Sequence, residues 1–168
     1  MRMHLSALVF ATASLLATPC VALSRMGEAV VRMDSGKVCF APAPGELGRP
    51  GASDIGAVFV TNVSAQPAKE AWAVQLVYDA GPFRIPRGGC LAYGQQLPAL
   101  HQVGPAELEP GVIYSAFLKP RLTDRQDSTR GFTAEFCLLR NADQTLRVHQ
   151  IQWDDKAGRW QREACAAR

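Results

Sequence analysis

The histidine, serine and acidic residues of this chain are not spaced for catalysis or for metal binding. Apart from one near the N-terminus, the histidines are His101 and His149, without the His-x-His or His-x-x-x-His spacing that brings two imidazoles onto one metal ion. The nearest approach to a Gly-x-Ser-x-Gly nucleophile turn is Gly51–Gly56, whose glycines have the wrong spacing. The adjacent acids Asp154 and Asp155 are typical of a turn. We therefore predict no catalytic residue, no metal ligand and no cofactor, and a protein that is not an enzyme.

The cysteines predict a disulfide framework. Cys39, Cys90, Cys137 and Cys165 follow the N-terminal segment, and none belongs to a Cys-x-x-Cys pair of a redox or zinc site. An even number of cysteines in an exported protein indicates two disulfides, with three possible connectivities. Of these we predict Cys39–Cys90 and Cys137–Cys165. The chain-entropy model assigns roughly 3.5 to 4 kcal/mol of stabilisation to each closed loop.

The N-terminus predicts export. A short polar start is followed by the apolar, uncharged stretch Leu5–Thr18, which is too short for a normal membrane span. We predict a signal peptide over residues 1–22 and one domain over residues 23–168, with an uncleaved anchor as the alternative. Cys20 resembles the acylated cysteine of a lipoprotein, but Pro19 fits that processing site poorly. Periplasmic or secreted export is therefore favoured over an outer-membrane lipoprotein, and no other stretch has the length of a membrane helix.

Composition limits the class of protein further. Of 168 residues, 48% are hydrophobic and 20% are charged, which is enough apolar material for one core. The net charge is only +3, and the lysines and arginines are scattered, so nucleic acid is not expected as a partner. The 14 glycines and 11 prolines favour many short strands and turns over a helical bundle.

Alternating apolar residues predict an all-β fold. Trp72, Val74 and Leu76 alternate with smaller residues, as in a strand with one buried face. Ile55–Val63 has no polar face and suits a central strand. We predict an immunoglobulin- or fibronectin-III-like antiparallel β-sandwich of about 7–9 strands, with a small closed barrel as the alternative. The predicted strands cover residues 28–33, 37–41, 55–63, 70–78, 90–93, 112–119, 131–140, 146–153 and 159–165, the last two forming a hairpin; residues 94–111 are read as a long connection.

One motif favours the sandwich in particular. Leu108, Pro110, Gly111 and Tyr114 resemble the Leu-x-Pro-Gly-x-x-Tyr corner of fibronectin-III and immunoglobulin-like domains. In that corner the leucine plugs the core and the tyrosine hydroxyl bonds to the backbone upstream. It is a signal of fold and not of function.

Two loops carry the candidate partner-binding residues. The segment between the strands 112–119 and 131–140 mixes both charges, and arginine and aspartate side chains can form paired hydrogen bonds across an interface. A shorter loop near Cys90 offers an aromatic residue beside an arginine. The candidates are Arg121, Asp124, Arg125, Asp127 and Arg130 in the first loop, and Phe83 and Arg84 in the second.

The order of these features resembles the type VI secretion immunity proteins, a family of small periplasmic lipoproteins. The resemblance covers roughly residues 30–140. It rests on the export signal and on Val38-Cys39-Phe40, Gly89-Cys90-Leu91, Tyr93-Gly94, Leu108-x-Pro110-Gly111 with Tyr114, and Phe132-Thr-Ala-Glu-Phe136. Pro19 departs from the lipoprotein pattern, and the segment from Cys137 to Cys165 is an addition to it.

The resemblance implies an envelope protein that binds and blocks a toxin effector, and it supports the pairing of Cys39 with Cys90. It transfers no interface residue, because the interfaces vary with each toxin. A structural or adhesive envelope component, such as a pilus-assembly module, is the alternative, and it should expose a strand edge that accepts another strand. An enzyme would instead need polar side chains that converge in a cleft.

Overall fold

The computed structural model describes residues 24–77, 79 and 81–166; the predicted signal peptide and Tyr78 of the predicted strand 70–78 lie outside these residues. Within the described ranges the chain forms twelve β-strands, a 3-10 turn at Pro44–Glu46 and a short α-helix, α1, at Glu163–Ala166. None of these helices is long and apolar enough to cross a membrane. The strands are β1 Arg25–Asp34, β2 Lys37–Pro42, β3 Asp54–Asn62, β4 Lys69–Leu76, β5 Phe83–Arg84, β6 Leu91–Ala92, β7 Ala99–Val103, β8 Ile113–Pro120, β9 Thr129–Arg140, β10 Leu146–Ile151, β11 Trp153–Asp154 and β12 Arg159–Trp160.

The larger layer of the fold is an antiparallel sheet in the order β7-β4-β3-β8-β9. β3 is central, as its apolar sequence predicts, and pairs with both β4 and β8. On the far side of β9, β10 pairs with the second half of that strand and the start of β1 pairs with the first half. The contact between β1 and β9 is parallel, whereas the other pairs of the sheet are antiparallel.

β1 joins this layer to a second one. Its residues Arg25–Glu28 pair with β9, and from Ala29 onwards it pairs with β2, which in turn pairs with β6. The β1–β2 connection is a two-residue turn in which Ser35 and Gly36 both have positive φ, of 49° and 77°. Such a turn matches the right-handed twist of its strands.

The core lies between the two layers and confirms the all-β sandwich. Phe40 on β2 contacts Trp72 on β4 and Phe136 on β9, with ring centroids 6.3 and 5.7 Å apart, and all three side chains are fully buried. Period-two alternation places Tyr114, Ala116 and Leu118 of β8 on the same face. Burial of these aromatic side chains contributes strongly to the hydrophobic driving force for folding.

Both predicted disulfides and the predicted corner are present. Cys39 bonds to Cys90 and Cys137 bonds to Cys165, with Cα–Cα distances of 5.6 and 6.0 Å. The hydroxyl of Tyr114, a buried side chain, accepts a hydrogen bond of 2.9 Å from the backbone N–H of Glu109. The corner therefore fixes the chain at the entry to β8, as in immunoglobulin-like sandwiches.

Two sequence predictions are wrong. The connection 94–111 contains β7, an edge strand that pairs with β4. The predicted extent of the hairpin of 146–153 with 159–165 is also wrong, because β10 pairs with β9 and the hairpin is limited to the two-residue strands β11 and β12. Residues 163–166 form a helix, which brings Cys165 to Cys137 on the outer face of β9. Alternation is lost after Trp160, and the segment Glu163–Ala166 consists largely of good helix formers.

Candidate functional site

The predicted charged loop connects β8 to β9 and lies at one end of the larger sheet. Asp124 and Arg125 are exposed in the loop, and Arg130 is exposed at the start of β9. The Asp124 carboxylate accepts a hydrogen bond from the N–H of Gln126, which holds the tip of the loop in a turn. Arg125 and Arg130 form no side-chain hydrogen bond or ion pair with the residues that the structure describes. Their guanidinium groups are available to a partner.

Asp127 connects the charged loop to Arg49 and so to the rest of the fold. Its carboxylate accepts a 2.8 Å bond from Arg49 and a 2.9 Å bond from the N–H of Thr129. The Thr129 hydroxyl first, and then Arg49 and the Thr129 N–H, lower the pKa of Asp127 to about 2. Arg49 also forms an ion pair with Glu46, whose buried carboxylate accepts hydrogen bonds from Arg25 of β1 as well. The arginines lower the pKa of Glu46 to about 2. This network ties the loop to β1 and to the 3-10 turn.

The second predicted loop reaches the same end of the sheet. Phe83 and Arg84 form β5, which pairs with the start of β3. Arg84 binds both carboxylate oxygens of Asp54, at 2.7 and 2.9 Å, while the carbonyl oxygen of Asp54 accepts a hydrogen bond from the N–H of Arg121. Asp54 therefore holds both loops through its side chain and its backbone. Phe83 is half-buried and packs against the core.

Beside the charged loop, the outer face of the larger sheet contains a groove of about 860 Å³, which we call the sheet-face groove. Its floor is formed by Phe59 of β3 and Phe117 of β8, which are direct cross-strand neighbours with ring centroids 6.2 Å apart. Gly131 of β9 leaves room for the Phe117 ring, since a Cβ atom there would lie 2.2 Å from the ring. Leu76 and Leu100 line the side nearest β7.

The rim of the sheet-face groove is basic. Lys119, Arg121 and Arg130 line it, together with Asp127, whose charge is balanced by Arg49. The Arg121 side chain packs over Gly56 and donates a hydrogen bond to the carbonyl oxygen of Val77. These contacts hold it against the wall of the groove. An aromatic floor with arginines on its rim is the composition that protein interfaces favour.

The other residues that sequence reasoning considered for chemistry do not lie in this groove. His101 is exposed on the edge strand β7, and His149 is half-buried on β10 opposite Cys137. Asp154 belongs to β11, where its carboxylate accepts the N–H groups of Lys156 and Ala157. These side chains are therefore distributed over separate parts of the surface.

Sequence reasoning located the rim of the groove and missed its floor. Arg121, Asp127 and Arg130 were predicted, whereas Phe59 and Phe117 were not. A signal existed for Phe117, which sits out of phase with the buried positions of its strand, whereas the strand of Phe59 has no polar face by which its two sides could be told apart. An aromatic residue at an outward position indicates either a covering segment or an exposed apolar surface.

Searches against protein-family models, curated proteins and solved structures found no match for this chain.

Proposed function

We propose that this chain is an exported protein-binding domain that blocks a protein partner, in the manner of the type VI immunity proteins that its sequence resembles. Export is supported by the predicted signal peptide and by the two disulfides, since disulfides form and persist in the periplasm or outside the cell. The partner is a toxin effector, and the protein acts by covering the surface that the toxin needs.

The observation that carries this proposal is the sheet-face groove with the two loops beside it. Phe59 and Phe117 offer rigid aromatic area that loses little conformational entropy on binding, and Arg125 and Arg130 add charged donors at the margin. The groove lies on a sheet whose opposite face is the core, so its shape is fixed before a partner arrives. Preorganisation of this kind lowers the entropic cost of association.

Charge defines the expected partner surface. Cations outnumber available anions at the groove, because Asp127 is balanced by Arg49 and only Asp124 remains exposed in the loop. A complementary partner presents an apolar protrusion surrounded by aspartate and glutamate. Opposite potentials of this kind increase the association rate and select the partner.

The test is a pull-down with the oxidised, C-terminally tagged protein, followed by an activity assay on what it captures. We expect a stoichiometric partner whose toxicity in a heterologous bacterial host is suppressed by co-expression of this protein. Lys119→Glu combined with Arg130→Glu should reduce capture and protection at least about tenfold, since each reversed rim charge costs roughly 1 kcal/mol.

Arg140→Glu combined with Arg147→Glu is the matched control. It makes the same change of charge on exposed residues near the opposite end of β9, about 33 Å along the strand from Arg130. This variant should capture the partner as the unmodified protein does. Equal losses with both variants, or capture unaffected by either, would count against the groove as the binding surface.

A second candidate function is an envelope assembly module, and the edge strand β7 favours it. Within the described residues β7 pairs only with β4, and Leu100 on it is 71% exposed. Such an edge can accept a strand from another chain. Capture of envelope assembly components that is abolished by Leu100→Lys, and unaffected by Lys119→Glu with Arg130→Glu, would favour this function over toxin inhibition.

A further inference from the structure

A pair of tryptophans lies on the surface of the short hairpin formed by β11 and β12, which we call the C-terminal ribbon. The ribbon is separate from the sheet-face groove. Trp153 of β11 lies directly opposite Trp160 of β12, with ring centroids 5.3 Å apart and the rings at 73°. Trp160 packs against the small cluster around Cys137 and Cys165, whereas Trp153 is 49% exposed. An indole that is half exposed and packed at a steep angle against a second one offers apolar ring surface to solvent.

The ribbon has little freedom to move. The Cys137–Cys165 disulfide and the paired hydrogen bonds from Arg162 to the buried carboxylate of Glu135 hold the chain just beyond it against the sheet. The turn between β11 and β12 is closed by the Asp154 carboxylate, which accepts two backbone N–H groups at 3.0 Å. The Trp153 ring is therefore positioned in advance of any ligand, as binding sites require.

A concave pocket of about 500 Å³ lies between this ribbon and β1. Met26 and the two tryptophans supply its apolar part. Arg25, Glu46 and Thr133 also line it but are engaged in hydrogen bonds within the fold, which leaves Glu28, Gln152 and Asp155 as its other polar groups. The side chains of these three polar residues form no ion pair or hydrogen bond with any described residue. The pocket thus combines one aromatic platform with polar groups that are not used by the fold, a pattern typical of ligand sites.

We propose that this pocket binds a neutral or N-acetylated saccharide. A pyranose ring has an apolar face of C–H groups that stacks on an indole, whose π face is electronegative. Its hydroxyl and acetamido N–H groups are donors that Glu28 and Asp155 can accept, and Gln152 can both donate and accept. Because the charges of Arg25 and Glu46 in the lining offset each other, the carboxylates of Glu28 and Asp155 give the pocket a net negative charge. That charge repels uronates and phosphates, which selects uncharged sugars. This site is independent of the proposed toxin-binding groove.

The test titrates the oxidised full-length protein with chitotetraose and cellotetraose, and with tetragalacturonate as an anionic probe. We expect a saturable change in tryptophan emission and a calorimetric binding heat with a neutral saccharide, at a Kd of about 1 mM or tighter. Trp153→Ala should weaken binding at least about tenfold, while Trp153→Tyr, which keeps an aromatic face, should retain most of it.

Glu28→Ala and Asp155→Ala test the polar contacts on exposed side chains that the fold does not use, so these variants should remain folded and bind severalfold more weakly. Lys119→Glu with Arg130→Glu should leave saccharide binding unchanged, which separates this site from the toxin-binding surface. Absence of binding heat with either neutral saccharide at about 10 mM would overturn the proposal. Unchanged binding by Trp153→Ala, or preference for tetragalacturonate, would overturn it equally.

Discussion

Glu46, Asp54 and Glu135 are acidic side chains with little contact with water, and each is bound by an arginine. Leaving any of these carboxylates without its arginine would place an uncompensated charge in a poorly solvated position. Each pair therefore joins two segments of the chain at a defined place. Glu46 positions β1 and the 3-10 turn, Asp54 positions the two loops, and Glu135 positions the C-terminal segment.

Glu46→Gln should lower stability at neutral pH and weaken the acid dependence of unfolding. The folded-state pKa of Glu46 is lowered to about 2 from 4.5, first by its hydrogen bond with Arg25 and with a further contribution from Arg49. A lowered carboxylate pKa stabilises the fold above pH 4.5, and that contribution is lost as the pH falls towards 2. Urea unfolding between pH 7 and pH 2 should show a loss of about 1–3 kcal/mol at pH 7 and a shallower decline below pH 4.5. Glu107→Gln, at an exposed position, is the control; a decline as steep in Glu46→Gln as in the unmodified protein would contradict the assignment.

Gly131→Ala should disturb the floor of the sheet-face groove. The added Cβ atom would lie 2.2 Å from the Phe117 ring and 3.0 Å from the carbonyl oxygen of Leu118, so the ring must leave its position. Crowding of this kind costs about 1–3 kcal/mol, which thermal unfolding would detect. Gly48→Ala, with no atom near the added methyl group, should change stability by less than about 0.5 kcal/mol. Equal stability of the two variants would show that the ring is not held as described.

At the scale of elements, side chains form hydrogen bonds with backbone groups that strand pairing leaves without a partner. Where β1 leaves β9 and crosses to β2, the amide of Gln150 on β10 donates to the carbonyl oxygen of Ala29 and accepts from the N–H of Val31, at 2.9 and 2.8 Å. This side chain replaces the partner strand that β1 lacks at the crossing. The Tyr93 hydroxyl likewise donates to the carbonyl oxygen of Ala106 at 2.9 Å, and it lies 3.2 Å from the carbonyl oxygen of Ala71, which already accepts the N–H of Ala106. The buried backbone groups of Ala29 and Val31 thereby gain hydrogen-bond partners.

Tyr114→Phe should loosen the corner before β8 without changing the core. Phenylalanine keeps the buried ring beside Phe136 but removes the acceptor of the Glu109 N–H. We expect a loss of about 1 kcal/mol in urea unfolding and faster amide exchange at Glu109. Phe136→Leu is a control that disturbs the same packing and leaves the hydrogen bond in place, so it should not accelerate exchange at Glu109 selectively. Unchanged exchange in Tyr114→Phe would show that the corner does not depend on this bond.

For the whole molecule, the two faces of the larger sheet have different roles. The inner face is covered by β1, β2 and β6 and forms the core. On the outer face, the C-terminal segment packs over Ile113 and Cys137, while the area around Phe59 and Phe117 contains the open groove. The C-terminal segment thus covers one part of this face and leaves the other accessible.

Replacing both Cys137 and Cys165 by serine should release the C-terminal segment and leave the sandwich assembled. The closed loop of 28 residues corresponds to about 3.5 kcal/mol of chain entropy. Hydrogen exchange should accelerate in β11, β12 and α1 while β3 and β8 stay protected. Replacing Cys39 and Cys90, which close a loop of 51 residues, should instead accelerate exchange in β2 and β6. Identical exchange maps for the two double variants would contradict this division.

The all-β class, most of the strands and the disulfide framework could be predicted from the sequence, whereas export stays a prediction from a segment that lies outside the described residues. The alternation of Phe132, Ala134, Phe136 and Leu138 expresses a local geometry in which every second side chain faces the core. β7 escaped prediction because prolines flank a short segment with little alternation, and its strand character arises from pairing with β4. Edge strands owe more to their neighbours than to their own residues.

What the sequence by itself determined is therefore local: which segments extend, where they turn, and that the cysteines pair. Only the tertiary structure decided that Arg49 pairs with Asp127, 78 positions away. It also decided that Gln150 hydrogen-bonds the backbone of β1 where that strand crosses between the layers. The placement of Phe59 and Phe117 in one groove beside the charged loop is likewise tertiary. The reason is physical, because strand register and the crossing of β1 between layers depend on the packing of the complete core, and no single segment encodes that packing.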